Sequence, residues 1–269
     1  MGVRRILSAV ALMALAAAFA LPIVWLVTAP FNPKPTLGLS FAGPTLDNFY
    51  GVFRNPAAVT GLKNSLLQAT VTMLIATVAA TMAAYAFSRA AFRGRETILY
   101  ALILLSSVVS GVSAMVPLYV LMQSLGLLDT HAGLILVYVG GLLPTNMFIM
   151  KDFVDSIPRA YEEAALVDGS SPAQVLMNIA FPLCRPGMAV IAVLIFVSTW
   201  SNFLVPFILL RSPSRAPASV AIYSFFNEVG IPILGLIAAY SFIYTIPVVV
   251  LYIIVNRKFG FRFYGGIKS

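Results

Sequence analysis

Acidic residues are few in this 269-residue chain, nine in all, and three of them fall within seven positions: Glu162, Glu163 and Asp168. They belong to the stretch Tyr161–Pro182, which reads Y-E-E-A-A-L-V-D-G-S-S-P-A-Q-V-L-M-N-I-A-F-P. Carboxylates beside alanines suit docking chemistry: the charge meets Arg or Lys on a partner, and the small side chains allow close approach. A solvated interfacial loop uses the same residue types. Catalytic chemistry has no comparable setting, and no catalytic residue is assigned. One histidine, His131, and one cysteine, Cys184, cannot supply a His/Cys metal cluster. No nucleophile–base pair and no paired carboxylates in an apolar site can be placed. A phosphate-cradling loop needs G-x-x-x-x-G-K-[ST]; the tail has Gly260 and Gly265, but Gly266 stands where the Lys belongs. The chain is therefore expected to be no enzyme and to hold no cofactor or metal of its own.

The elements that position this stretch follow from composition. The chain is 60% hydrophobic and 10% charged, with mean hydropathy +0.96, whereas soluble globular chains carry about 25% charged residues. Lipid must be the solvent for much of it. A bilayer-spanning helix needs about 20 apolar residues, and six runs qualify: Ile6–Thr28, Ser65–Phe87, Thr97–Leu121, Ala132–Met150, Pro186–Leu210 and Ile233–Val255. The first, though preceded by Arg4 and Arg5, outlasts a signal-peptide core of about 7–15 residues and reads as an uncleaved span. Residues Ala29–Asn64, with Pro30, Pro33, Pro35 and Pro44, read as a long irregular loop.

Basic residues set the orientation. With the N-terminus in the cytoplasm, twelve of the 17 Lys and Arg lie inside, including Arg89, Arg93, Arg95, Lys151, Arg159 and Arg185; Lys34, Arg54, Lys63, Arg211 and Arg215 lie outside. That is the positive-inside bias, so the net charge of +8 points to a membrane and not to nucleic acid. The expected fold is an all-α membrane protein with six transmembrane helices, N-in and C-in. It forms one domain, 1–269, comprising a first span with its outer loop, 1–64, and a five-helix core, 65–269. The core holds a cytoplasmic elbow, 157–182, between the fourth and fifth spans. No charged residue lies inside any of the six runs, which counts against an ion-coupled carrier.

Within the elbow, Pro158 marks a helix start. Glu162 and Glu163 suit its first turns, and Gly169 can adopt the left-handed conformation that ends it. Ser171-Pro172 caps a second short helix running to about Asn178. Pro182 and Pro186 are then expected to break the chain before the fifth span.

These residues resemble the inner-membrane permease subunits of binding-protein-dependent ABC importers, whose hallmark is E-A-A, three residues, G, nine residues, then I-x-L-P. Here Glu163-Ala164-Ala165 precedes Gly169, and Ile179-Ala180-Phe181-Pro182 follows, with Phe181 for the usual Leu. The carbohydrate-uptake branch, such as the smaller permease of the maltose transporter, is similar at Thr45–Tyr50, Leu125–Thr130, Phe153–Pro158, Thr199–Pro206 and the tail Gly265–Ser269. In T-W-S-N-F-L-V-P the branch's usual Asn and acidic residue are replaced by Ser201 and Asn202.

The resemblance implies that the elbow couples to ATPase subunits through Glu163, Ala164, Ala165, Asp168, Gly169, Ile179 and Pro182. It implies a second homologous permease forming a heterodimer, two ATPase subunits holding ATP and Mg, an extracytoplasmic solute-binding protein, and a prokaryotic inner membrane crossed several times. The solute is a sugar or related polyol; glycerol phosphate or a glycerophosphodiester is the alternative on the same architecture, and a stand-alone channel or secondary carrier the alternative from another class. Trp200, Asn202 and Phe203, in mid-span, are candidates for the solute path, because an indole and an amide can stack on and hydrogen-bond a sugar; helix–helix packing is the competing use. Tyr119, Tyr138 and Tyr240 read as packing or interface residues.

Overall fold

The computed structural model describes residues 2–38, 43–90, 93–109 and 112–260; the tail motif Gly265–Ser269 lies outside them. Its helices are α1 (Gly2–Thr28), α2 (Asp47–Arg54), α3 (Pro56–Arg89), α4 (Arg95–Val109), α5 (Met115–Ser124), α6 (His131–Asp155), α7 (Ala160–Val167), α8 (Pro172–Val175), α9 (Phe181–Trp200), α10 (Leu204–Leu209), α11 (Ala218–Ala221) and α12 (Leu234–Phe259). No β-strand occurs among the described residues, only an isolated bridge between Phe226 and Pro232.

Among the described residues, five helices are long and apolar enough to cross a membrane: Leu7–Phe31, Pro56–Arg89, His131–Asp155, Pro172–Trp200 and Leu234–Phe259. The expected third span, Thr97–Leu121, is not one helix. It divides into α4 and α5, with a 3-10 turn at Val112–Ala114 leading into α5. Pro117 accounts for this, because it lacks an N–H and its ring clashes with the carbonyl four residues back.

Two other expectations are corrected. Residues 29–64 are not irregular throughout: α2 occupies Asp47–Arg54, and α3 begins at Pro56, so that its first nine residues, 56–64, fall within the expected loop and the helix runs across the boundary drawn at 64/65. Asn55 caps α3, its side chain accepting from the N–H groups of Ala57 and Ala58, with Pro56 in the first turn. Pro182 and Pro186 do not break the chain either. Helix runs from Pro172 to Trp200, accommodating the prolines through a π-helical turn at Leu176–Ala180, whose wider winding absorbs the missing donor at Pro182. The break comes later, at Ser201–Phe203, where Pro206 forbids a helix running through Asn202.

The core is α3, α6 and α9, with α4 laid on α6. Ala76, Ala80 and Ala84 of α3 pack with Met147, Met150 and Val154 of α6 and with Ile191 and Ile195 of α9. Alanines at this spacing let helices approach closely where lipid supplies no hydrophobic drive. Gly187 does the same between α9 and α6: a Cβ there would lie 2.5 Å from Cγ of Phe153. Gly187→Ala is expected to destabilise the fold by about 1–3 kcal/mol, read as a lower thermal midpoint in detergent. An unchanged midpoint would show that this contact does not hold the two helices. In contrast, α1 is exposed along its apolar length.

Candidate functional site: an elbow and a groove

Pro158 places the start of α7, with Arg159 as its N-cap residue and Glu162 and Glu163 in the first turn. The helix ends in a Schellman arrangement: Gly169, at φ +88°, donates to the Leu166 carbonyl, and Ser170 donates to that of Ala165. Ser171 then opens α8 with a capping box, accepting from the Gln174 N–H while its own N–H donates to the Gln174 side chain. The helix–turn–helix expected from the sequence is thus present, with α8 continuing into α9.

The motif residues divide between two faces. Glu163, Ala164, Asp168 and Gly169 are exposed, beside exposed Leu166 and Val167. Ala165, Ile179 and Pro182 are half-buried. Glu162, which the sequence reading grouped with Glu163 as charge offered to a partner, is 7% exposed and bound within the chain. Arg89 donates to its Oε1 through Nε at 2.8 Å, and Tyr85 donates to its Oε2 at 2.9 Å. Arg89 also donates to the carbonyls of Val154 and Ile157. Arg159 and Arg95 donate to the Ser88 carbonyl at the end of α3, cations where a helix C-terminus favours them. Ser88 donates to Asp155, which pairs with Lys151 at 2.6 Å.

Along α6 lie two adjoining hollows that share Gly141 and Leu142. One, of about 350 Å³, is lined by Met115, Leu118, Met122, Tyr138, Asn202 and Val205 among others. The other, of about 490 Å³, is lined by Ser106, Thr145, Asn146, Ser198, Ile149 and Leu194 among others. Gly140, Thr145 and Ser198 are exposed along them, so the groove opens at the surface of the chain. Asn146 is 4% exposed; its amide nitrogen donates to the Leu142 carbonyl, and its Oδ1 has no partner. Every polar side chain named in this lining is uncharged.

The three mid-span candidates are not brought together. Asn202 lines the groove, with Oδ1 accepting from the Val205 N–H. Trp200 is buried, stacked between Phe196 and Tyr244 at 5.5 and 5.0 Å, and its Nε1 donates to the Tyr244 carbonyl. Phe203 points elsewhere, packing on Phe207 and Tyr223. Tyr240 is buried and donates to the Ala218 carbonyl. Sequence reasoning missed Asn146, Ser106, Thr145 and Ser198. It looked for charge inside the spans, whereas an amide within an apolar run was the available signal.

At the opposite end of α3 from the elbow, Asn64 donates to the carbonyls of Ser214 and Ala216, Gln68 to that of Arg215, and Ser65 accepts from the Ala218 N–H. Gln68 also pairs with His131 at 3.0 Å. Arg215 pairs with Asp129 at 3.2 Å, and Arg211 lies over the Tyr119 ring. The Ser212 hydroxyl bound to Asp129 holds that carboxyl below its ordinary range. Arg211 and Arg215 are thus both engaged within the chain.

Residues 76–259, which contain the elbow and the groove, match the family described as binding-protein-dependent transport system inner membrane component. The chain belongs to that family. Among its relatives, the galactooligosaccharides transport system permease GanQ of Bacillus subtilis is 32% identical, covering 96% of this chain and 93% of its own length. The trehalose transport system permease SugB of Mycobacterium tuberculosis is 33% identical over 96% of each. A solved bacterial ABC transporter involved in import of the acidic polysaccharide alginate shares the fold, with TM-score 0.78 at 23% identity and 96% of both chains covered. The resemblance seen in the sequence is borne out, and this permease is a transport component, as its relatives are, and not an enzyme.

Proposed function

We propose that this permease forms, with a second homologous permease, the path by which a neutral sugar or polyol enters the cell, driven by two ATPase subunits that hold ATP and Mg and dock on the elbow. The observation that carries the solute class is the lining of the groove. Its side-chain amides and hydroxyls, Asn146, Asn202, Ser106, Thr145 and Ser198, can exchange hydrogen bonds with a polyhydroxy solute, and none of them is charged. A glycerol phosphate would bring a charge with no counter-ion there. The names of the galactooligosaccharide and trehalose relatives support the same class. Because the groove is open along one side, a second chain is needed to close it. In this reading α4 and α5 together make the sixth crossing, the N-terminus and the elbow are cytoplasmic, and an extracytoplasmic binding protein delivers the solute.

Reconstitution in liposomes tests this. With binding protein, partner permease and ATPase present, ATP should drive uptake of a labelled neutral saccharide, and omission of any subunit should abolish it. Flux through this chain alone would establish a channel, and ATP-driven uptake of glycerol phosphate in preference to saccharides would overturn the solute class.

A further inference from the structure

We infer that Glu162 and Arg89 are a joint through which movement of the elbow is passed to α3 and along it to the outer loop, so that Glu162 is a positioning residue and not part of the ATPase-docking surface. The inference rests on the reading that the elbow receives motion from an ATPase. Glu162 and Glu163 are adjacent on one helix, so their side chains diverge by about 100°. Only Glu163 faces out, while the Glu162 carboxylate accepts from Nε of Arg89 at 2.8 Å and from the Tyr85 hydroxyl, with Nη2 of Arg89 an equal 2.8 Å from the same Oε1 as its ion-pair partner. The side chains of this pair are 14% and 9% exposed. A charge-assisted Arg–carboxylate hydrogen bond is stronger than a neutral one, the Tyr85 hydroxyl on the second oxygen fixes the carboxylate's orientation, and removing one partner of a buried pair leaves the other uncompensated. Nη2 of Arg89 donates to the carbonyls of Val154 and Ile157, at the end of α6 and in the lead-in to α7. One guanidinium therefore ties α3, α6 and α7 together.

What α3 does with a displacement follows from its sequence. Of the five long apolar helices, α1, α6, α9 and α12 carry interior prolines at Pro22, Pro144, Pro186 and Pro247, and α3 carries none. Proline removes a helical hydrogen bond and permits bending, so α3 is the stiff member. From Arg89 to Gln68 it extends about 30 Å at 1.5 Å per residue. At that far end Asn64, Ser65 and Gln68 hold the backbone of residues 214–218 by four hydrogen bonds. The joint, the stiff helix and the gripped loop form one connected body from the elbow to the opposite face.

The test uses the assembled transporter. Glu162→Gln and Arg89→Gln should each lower both uptake and stimulation of ATP hydrolysis by the binding protein about tenfold or more, as expected for loss of one partner of a buried pair. The ATPase subunit should still co-purify with the permease. The exchange Glu162→Arg with Arg89→Glu should recover part of the stimulation. Uptake and stimulation within about twofold of the wild type in both single variants would overturn the proposal, as would loss of ATPase co-purification, which would place Glu162 on the docking surface. If the charge variants fail to accumulate, Tyr85→Phe keeps the ion pair and removes one hydrogen bond; about a fivefold loss of stimulation is expected, and no loss overturns the joint. The Glu163→Lys, Gly169→Val variant is the control. If it too leaves uptake intact, the coupling reading of the elbow has failed and not the joint alone.

Discussion

Glu163→Lys combined with Gly169→Val will abolish ATP-driven uptake while leaving the permease in the membrane. Glu163 is exposed in the first turn of α7, and its carboxylate has no hydrogen-bond partner among the described residues. Reversing its charge therefore costs the fold little and acts on whatever docks there. Gly169 stands at φ +88°, and a Cβ at that position meets nothing within 4 Å. The penalty of a side chain is thus conformational, about 1–2 kcal/mol for leaving the left-handed region to glycine alone, with a β-branched residue at the upper end. That strain falls on the Schellman turn, which sets the angle between α7 and the helix running on through α8 and α9. The surface charge and the angle of the elbow then fail together. Uptake should drop by more than about tenfold, the equivalent of losing 1.4 kcal/mol of productive docking, with stimulation of ATP hydrolysis lost in parallel. Near wild-type values of both in the double variant would refute the coupling role.

The elbow shows what a sequence reveals and what it withholds. Its caps and turn were legible because they are local: Ser171-Pro172, Gly169 and the early carboxylates act within a few residues of themselves. The same local signal, Asn55-Pro56, marked the start of α3, but Lys63 and Asn64 made that stretch look like loop to a reading based on hydropathy. Asn64, with Gln68 one turn on, is instead committed to the backbone of a segment roughly 150 positions away. The prolines misled in the opposite direction. Pro182 reads as a breaker, yet a π turn absorbs it, while Pro117 and Pro206 fall in the first turns of α5 and α10, just past real interruptions. The difference lies in whether the preceding turn can widen, which tertiary packing decides. Glu162 and Glu163 are identical in type and adjacent, and only the arrival of Arg89 and Tyr85 from another helix separates their roles.

Trp200 and Asn202 were grouped with Phe203 from the sequence as candidates for the solute path, and their replacements are expected to act in different ways. Trp200→Ala removes a buried indole stacked on two rings and should cost about 3–5 kcal/mol of stability, seen as a large fall in thermal midpoint. Trp200→Phe keeps the stack on Phe196 and Tyr244 and should leave the KM for the saccharide unchanged. Asn202→Ala and Asn146→Leu should instead raise that KM about tenfold, the value of one well-made hydrogen bond to a solute hydroxyl. Asn146→Leu carries a second signature. Its Oδ1 is buried and unpartnered, so an apolar side chain of similar size relieves a desolvation cost, and the thermal midpoint should hold or rise while transport falls. A residue that weakens the empty fold and strengthens function is what a binding site requires, since its unsatisfied group waits for the ligand. If Trp200→Phe raises the KM as Asn202→Ala does, the indole touches solute and the groove is wider than α6 and Asn202 define it. If Asn146→Leu lowers stability and leaves the KM alone, the amide serves packing, and the solute path must lie away from the second hollow.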